Sequence, residues 1–200
     1  MRGATRLRDA IQIPRVWKYR ALSTCRNVTG SGIVHQPVLL LGSGAIRIGR
    51  DVRFGWPTSP QFHTGYIHLE ASGPEALIEV GDGAEINNNA YIKSEGAGIF
   101  IAQRALLGSN VQILDSDFHD LHPDRRRGGQ PAMAAVHLDE NVFIGDGARI
   151  LKGVTIGSDS VVGAGSVVTR SVPAGVIAAG NPARVVRELR DAADRAVSAR

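Results

Sequence analysis

Two histidines three residues apart, His119 and His122, sit in a polar stretch that also holds Asp115, Asp117 and Asp120. A neutral imidazole accepts a proton near pH 7, and a carboxylate that fixes one ring nitrogen leaves the other free to do so. That is the equipment for deprotonating a hydroxyl nucleophile. His119, placed just past the end of a strand, is the candidate general base; the competing reading of an isolated histidine is a solvated surface side chain. Nearer the C-terminus, Arg170, Arg184 and Arg187 follow a run of valines. Arg184 and Arg187, three apart on an expected short helix, would present two guanidinium groups on one face to an anionic ligand.

Something must hold these groups in place, and the sequence carries a periodicity able to do it. Aliphatic residues recur every six positions at Leu138, Ile144, Ile150, Ile156, Val162 and Val168. Four residues after each stands a small or aliphatic partner: Val142, Ala148, Val154, Ser160, Ser166 and Val172. The same register covers Ile101, Leu107 and Ile113, and earlier Val80, Ile86 and Ile92, with a fragment at Ile48 and Val52. A period of six fits neither a helix nor an alternating hairpin sheet. It fits a three-faced prism, one short strand and one corner per hexapeptide, with coils stacked at about 4.8 Å. The expected fold is therefore all-β dominated, a parallel β-helix with a short C-terminal α-helix.

The repeat stops between Ile113 and Leu138, and an excursion this long inside a compact solenoid is functional or disordered. Its composition argues for function. The domain boundaries that follow are a basic N-terminal extension over 1–22, a β-helix domain over 23–182 with an excursion loop at 115–136, and a C-terminal helix over 183–200. Residues 23–79 read only as β-rich, with early strands near Val34, Val38, Leu40 and Ile46.

Composition agrees with a narrow core. Of 200 residues, 24 are glycine and 5% are aromatic, so small and β-branched side chains must fill the interior. A net charge of +4 favours an anionic partner, without choosing among nucleic acid, membrane surface and phosphorylated cofactor. The arginines lack the interleaved aromatics of a base-stacking platform, so nucleic acid is not expected. Cys25 is the only cysteine, and no stretch has the length of a spanning helix, which points to the cytoplasm. Arg2, Arg6, Arg8, Arg15, Lys18 and Arg20 with Leu7, Ile11 and Trp17 allow at most peripheral membrane contact; Pro14 is expected to interrupt this segment, and a solvated cap docked on the main domain is the preferred reading.

The hexapeptide pattern over residues 80–187, the run Phe118-His119-Asp120-Leu121-His122-Pro123 and the tail Ala179-Gly180-Asn181-Pro182-Ala183-Arg184-Val185 resemble the hexapeptide-repeat acyltransferases. Within them the chain is most similar to the galactoside, maltose, nodulation-factor and polysaccharide O-acetyltransferases. The resemblance implies a left-handed coil, a homotrimer with active sites between subunits, and acetyl-CoA as co-substrate with no metal. It also implies roles. His119 matches the histidine that deprotonates a sugar hydroxyl, and His122 and Asp117 support the acceptor. Asn87 and Glu95 match residues that hold acceptor hydroxyls, with glutamate where the family has aspartate. Asn88 and Asn89 read equally well as an asparagine ladder. On the coenzyme side, Thr169 and Arg170 match a Thr-Lys pair, Ala164 a small residue beside the pantetheine arm, and Arg184 and Arg187 the signature arginines. The corner Phe143-Ile144-Gly145-Asp146 is nominated for the backbone N–H that polarises the thioester carbonyl.

The implied activity is transfer of an acetyl group from acetyl-CoA to a saccharide or glycosylated hydroxyl. Alternatives are N-acetylation of an amino sugar, O-acetylation of a streptogramin-like antibiotic, a γ-carbonic-anhydrase-like zinc enzyme, and a non-catalytic binding protein. The zinc reading needs three histidines around an interface; here His119 and His122 share one loop.

Overall fold

A chain whose inward residues recur every six positions buries them all only by turning a corner after each short strand. The structure, a computed structural model, describes residues 2–189. Helix α1 (Arg2–Leu22) leads into six coils of three strands each. They are β1 (Asn27–Thr29), β2 (Ile33–Val34) and β3 (Val38–Leu41); β4 (Ala45–Ile48), β5 (Arg53–Phe54) and β6 (Ile67–Ala71); β7 (Leu77–Val80), β8 (Glu85–Ile86) and β9 (Tyr91–Ser94). Then come β10 (Ile99–Ile101), β11 (Leu106–Leu107) and β12 (Gln112–Leu114); β13 (Val136–Leu138), β14 (Phe143–Ile144) and β15 (Arg149–Ile150); β16 (Thr155–Ile156), β17 (Val161–Val162) and β18 (Val167–Val168). A hairpin of β19 (Val176–Gly180) and β20 (Ala183–Glu188) closes the described chain.

The first, second and third strands of each coil stack into three parallel sheets, here called faces one, two and three. Register aligns the inward residues into columns. On face two, Phe54, Ile86, Leu107, Ile144, Val162 and Ala178 follow one another rung by rung. On face three the column is Leu40, Leu69, Ile92, Ile113, Ile150 and Val168. The repeat positions from Val80 onward are buried, as are their small partners from Ala84 to Val172. Burial of such an aliphatic contributes about 1.5–3 kcal/mol each, so the stack is held chiefly by its axis.

The corners decide which residues the turns accept. Along the edge between faces one and two, Asp51, Arg104, Asn141 and Asp159 all adopt left-handed backbone with φ of 56–60°. Asparagine and aspartate tolerate that region; Arg104 does not favour it, and its guanidinium pairs with Glu140 on the next coil.

Two expectations about the termini are corrected. Pro14 does not interrupt α1, which runs through it. The helix is held from outside: Gln12 Nε2 donates to the Phe62 carbonyl (2.7 Å), Arg15 donates to the carbonyls of Phe62 (3.0 Å) and Gly65 (2.5 Å), and Tyr19 stacks on Tyr66. These contacts offset the roughly 3 kcal/mol a proline costs inside a helix. At the other end, Ala183–Glu188 is a strand antiparallel to β19, not the start of a helix. Gly180 at φ 105° and Pro182 reverse the chain, and β19 needs an edge partner. The remainder of the predicted helix, 190–200, lies outside the described residues.

Candidate active site

The excursion leaves face three after β12 and returns to face one at β13, so it projects from the edge between those faces. Its root is closed by a bridge between Ser116 and Met133 and by Asp117 N–H donating to the Ala132 carbonyl (3.1 Å). Asp115 lies wholly buried beneath this root. Its carboxylate accepts hydrogen bonds from Ser94 Oγ (2.7 Å) and from the backbone N–H groups of Glu95 (2.8 Å), Gly96 (3.4 Å) and Gly98 (2.9 Å). It is therefore the bolt that ties the loop to the turn below it, and not the orienting partner of His119. Removing it strands several buried donors, so Asp115→Ala is expected to lower stability by roughly 3 kcal/mol in urea unfolding. An unchanged midpoint would remove Asp115 from this role.

His119 itself is exposed. Phe118, directly before it, holds φ at 61°, a strained value for a bulky side chain, stabilised by Ser116 Oγ accepting from its N–H (2.9 Å) and by the Lys93 ammonium 5.2 Å above its ring. The neighbouring carboxylates are differently occupied. Asp120 accepts from Arg125 Nε (2.8 Å) and from the His122 N–H (2.8 Å). Asp117 Oδ1 accepts from Lys152 Nζ (2.7 Å), whereas its Oδ2 is buried with no hydrogen-bond partner among the described residues. His122 caps a 3₁₀ turn, Pro123–Arg125, its Nδ1 accepting from the Asp124 N–H (3.3 Å).

The remaining predicted site residues fall in three places. Asn87, Gly145, Asp146 and Ala164 share the edge between faces two and three, since Asn87 follows β8, Gly145 follows β14 and Ala164 follows β17. Phe143 projects outward from face two beside them and is 43% exposed. Glu95, Thr169 and Arg170 lie on the loop's own edge. Arg184 and Arg187 sit on β20, where a register shift sets them opposite Ala179 and Ile177, both on the outward side of β19. The bulge thus puts both guanidinium groups on one face, the outcome expected of a helix and reached by a strand.

The nominated corner is also refined. The Gly145 N–H is committed to the Val162 carbonyl (2.8 Å), and that of Phe143 to Ser160 (2.9 Å). Gly145 is tightly stacked: a Cβ there would meet Ala164 N at 2.5 Å.

Several polar residues escaped sequence reasoning. On face three, His68 Nε2 lies 2.9 Å from Glu70, and Lys93 Nζ lies 3.1 Å from Glu70 and 3.0 Å from Glu95, with Ser72 Oγ donating to both carboxylates. Glu95 is thereby engaged within its own chain. The signal would have been Glu70 and Lys93 facing each other on adjacent rungs, visible only once register is known. Asn89 does form a ladder, donating to Asn110 Oδ1 (2.8 Å), while Asn88 is fully buried.

Burial raises the Glu70 carboxyl, but hydrogen bonds from His68, Lys93 and Ser72 outweigh it and hold it below the usual carboxylate range. A depressed folded value means stabilisation that is complete above the unfolded value and lost as pH falls through the folded one. Wild-type stability is therefore expected to decline below about pH 4.5, and Glu70→Gln to flatten that decline in pH-dependent denaturation. Parallel acid limbs would contradict it.

Among the described residues no cluster of three or more histidine, cysteine or acidic side chains is arranged to hold a metal, and no helix is long and apolar enough to cross a membrane.

The stacked triangular coils and the six-residue repeat form a parallel β-helix, and residues 135–170 match the family model for the bacterial transferase hexapeptide, six repeats. Over 114 residues the chain is 38% identical to a galactoside O-acetyltransferase of Lactococcus lactis, covering 57% of this chain and 54% of that protein. A second galactoside O-acetyltransferase, from Escherichia coli, is 35% identical over 123 residues, covering 59% and 60%. The chain thus spans little more than half the length of these curated relatives. A hexapeptide-repeat acetyltransferase from Vibrio cholerae crystallised with acetyl coenzyme A superposes with a TM-score of 0.55 at 26% identity, covering 94% of this chain and 86% of that one.

Proposed function

We propose that this protein transfers the acetyl group of acetyl-CoA to a hydroxyl of a saccharide or glycosylated small molecule, with His119 as general base, in sites completed between copies of a homotrimer. The observation that carries the reading is the separation of the two halves of the chemistry. The imidazole rides on one edge of the prism and the small-residue corner at Gly145, Asp146 and Ala164 on another. Packing the loop of one copy against the corner of the next unites them, as symmetric head-to-tail association does.

The residues fit the coenzyme. Exposed Phe143 offers an apolar wall, Ala164 between Gly163 and Gly165 leaves backbone open to a long ligand, and Arg170, Arg184 and Arg187 are exposed cations for phosphates. When bound, acetyl-CoA supplies an acyl group activated as a thioester. His119 removes the acceptor proton as the hydroxyl oxygen bonds to the acetyl carbon. The Asp146 N–H, which has no acceptor among the described residues, is the donor left at this corner for the charge that develops on the carbonyl oxygen. The carbon–sulfur bond breaks, and His119 returns its proton to the departing sulfur. Asp117, with one oxygen unengaged, is the carboxylate that orients His119 or an acceptor hydroxyl; Asp115 and Asp120 have other partners. Asn87 holds the acceptor from the corner side. A reducing cytoplasm suits the single buried Cys25.

The test is coenzyme release from acetyl-CoA, followed with a thiol reagent, across neutral sugars, amino sugars, sugar nucleotides and glycosylated natural products. Saturable release with a hydroxyl acceptor is expected. Release with amino sugars alone, or with none of the panel, would overturn the assignment.

A further inference from the structure

Between β5 and β6 the chain makes a detour, residues 55–66, that the six-residue rule does not demand. One buried side chain pins its first half, while Gln36, Gln12 and Arg15 hold the second half through the carbonyls of Gln61, Phe62 and Gly65. Asn88, completely inaccessible, accepts from the Trp56 N–H (2.9 Å) and donates through Nδ2 to the carbonyls of Trp56 (3.0 Å), Ser59 (3.1 Å) and Pro60 (3.0 Å). Asn87 Nδ2 donates to Ser59 Oγ (3.0 Å). The result is a fixed wall that leaves Trp56 44% exposed beside a cavity of about 410 Å³. Arg53, Thr58, Ser59, Asn87 and Leu106 also line it, with Glu85 paired to Arg53 at 3.6 Å.

An indole kept half in water by a four-bond anchor is poor use of apolar surface unless something covers it. The lining states what. A flat aromatic face, two hydroxyls, an amide and a compensated ion pair match a ring with one apolar C–H face and hydroxyls around its rim. Glu85 beside Arg53 disfavours an anionic occupant. The position agrees as well. Leu106 pairs with Phe143 one rung above, and Asn87 stands two rungs below Gly145, about 10 Å away at strand spacing. A single sugar ring and an acetyl group bridge that span.

We infer that Trp56 is the stacking platform of an acceptor subsite for a neutral pyranoside, and that the loop pinned by Asn88 is the wall that sets its specificity. The direction in which the ring presents its hydroxyl rests on the acyl-transfer reading; the binding does not.

The two are separable because the chain has only two tryptophans. In a Trp17→Phe background, Trp56 is the sole fluorophore, and its emission is titrated with methyl β-galactopyranoside, methyl α-glucopyranoside and maltose in the absence of coenzyme. A saturable change with at least one sugar is expected. In parallel, Trp56→Ala should raise the acceptor KM about tenfold with the acetyl-CoA KM unchanged, and Trp56→Phe should recover most of that loss. If emission saturates while the wild type releases no thiol with any sugar, the saccharide site stands and acyl transfer falls. No saturable change with any of the three sugars, or an acceptor KM indifferent to Trp56→Ala, overturns the subsite.

Discussion

Replacing His119 with alanine is expected to lower kcat by about 10²–10⁴-fold, the usual worth of a positioned general base, while leaving the KM for acetyl-CoA nearly unchanged. The asymmetry follows from geometry. His119 is exposed on the excursion, whereas the corner at Gly145, Asp146 and Ala164 lies on another edge and Arg184 and Arg187 lie on β20. Its removal takes away proton transfer and leaves the binding surfaces standing. The same exposure predicts a melting temperature within experimental error of the wild type. Steady-state kinetics with either substrate varied would decide the matter; turnover within threefold of the wild type would exclude the imidazole from the reaction.

Co-expressing two inactive variants should restore activity. His119→Ala keeps an intact corner, and Ala164→Trp, which fills the open corner between two glycines, keeps an intact loop. If each site takes its histidine from one protomer and its corner from the next, random co-assembly leaves about one site in four with both halves intact. Co-expressed variants should then recover about a quarter of wild-type turnover, and mixtures of separately assembled oligomers none. Recovery absent from co-expressed hybrids, with their mixed composition verified by two affinity tags, would show that loop and corner act within one chain or not at all. Either variant failing to assemble would be visible by size-exclusion chromatography, and Ala164→Phe offers a second blocking residue.

The coils from Val80 onward were legible because each hexapeptide spends one position on an aliphatic that has no other use. Upstream the rule was obscured by insertions rather than by a different architecture. The register partners Val28 and Ile46 are 18 residues apart, one coil of three hexapeptides, but Ile46 and Ile78 are 32 apart because the 55–66 detour and the turn after Ala71 lengthen the circuit. The candidate site was legible where chemistry breaks the pattern, as at His119. It was not legible where a polar side chain occupies an outward position that any residue can fill. Asp115 could not be told from Asp117 in sequence, yet one is buried under four hydrogen bonds and the other keeps an unengaged oxygen. The arginines of the tail were read correctly as neighbours on one face and wrongly as helical, since spacing of three suits a helix and also a strand with one bulged residue.

The hairpin of β19 and β20 bears on what can add to the stack of rungs. A parallel solenoid is in principle endless: its last rung offers the same row of unpaired amides and carbonyls that each earlier rung used to recruit its successor. By turning back on itself, β20 occupies that row on face two with a strand of opposite polarity, kinked by a bulge and studded with Arg184, Arg187 and Glu188. Such an edge makes a poor template for another rung. Truncation before Ala183 should therefore convert a finite particle into one prone to end-to-end fibre growth.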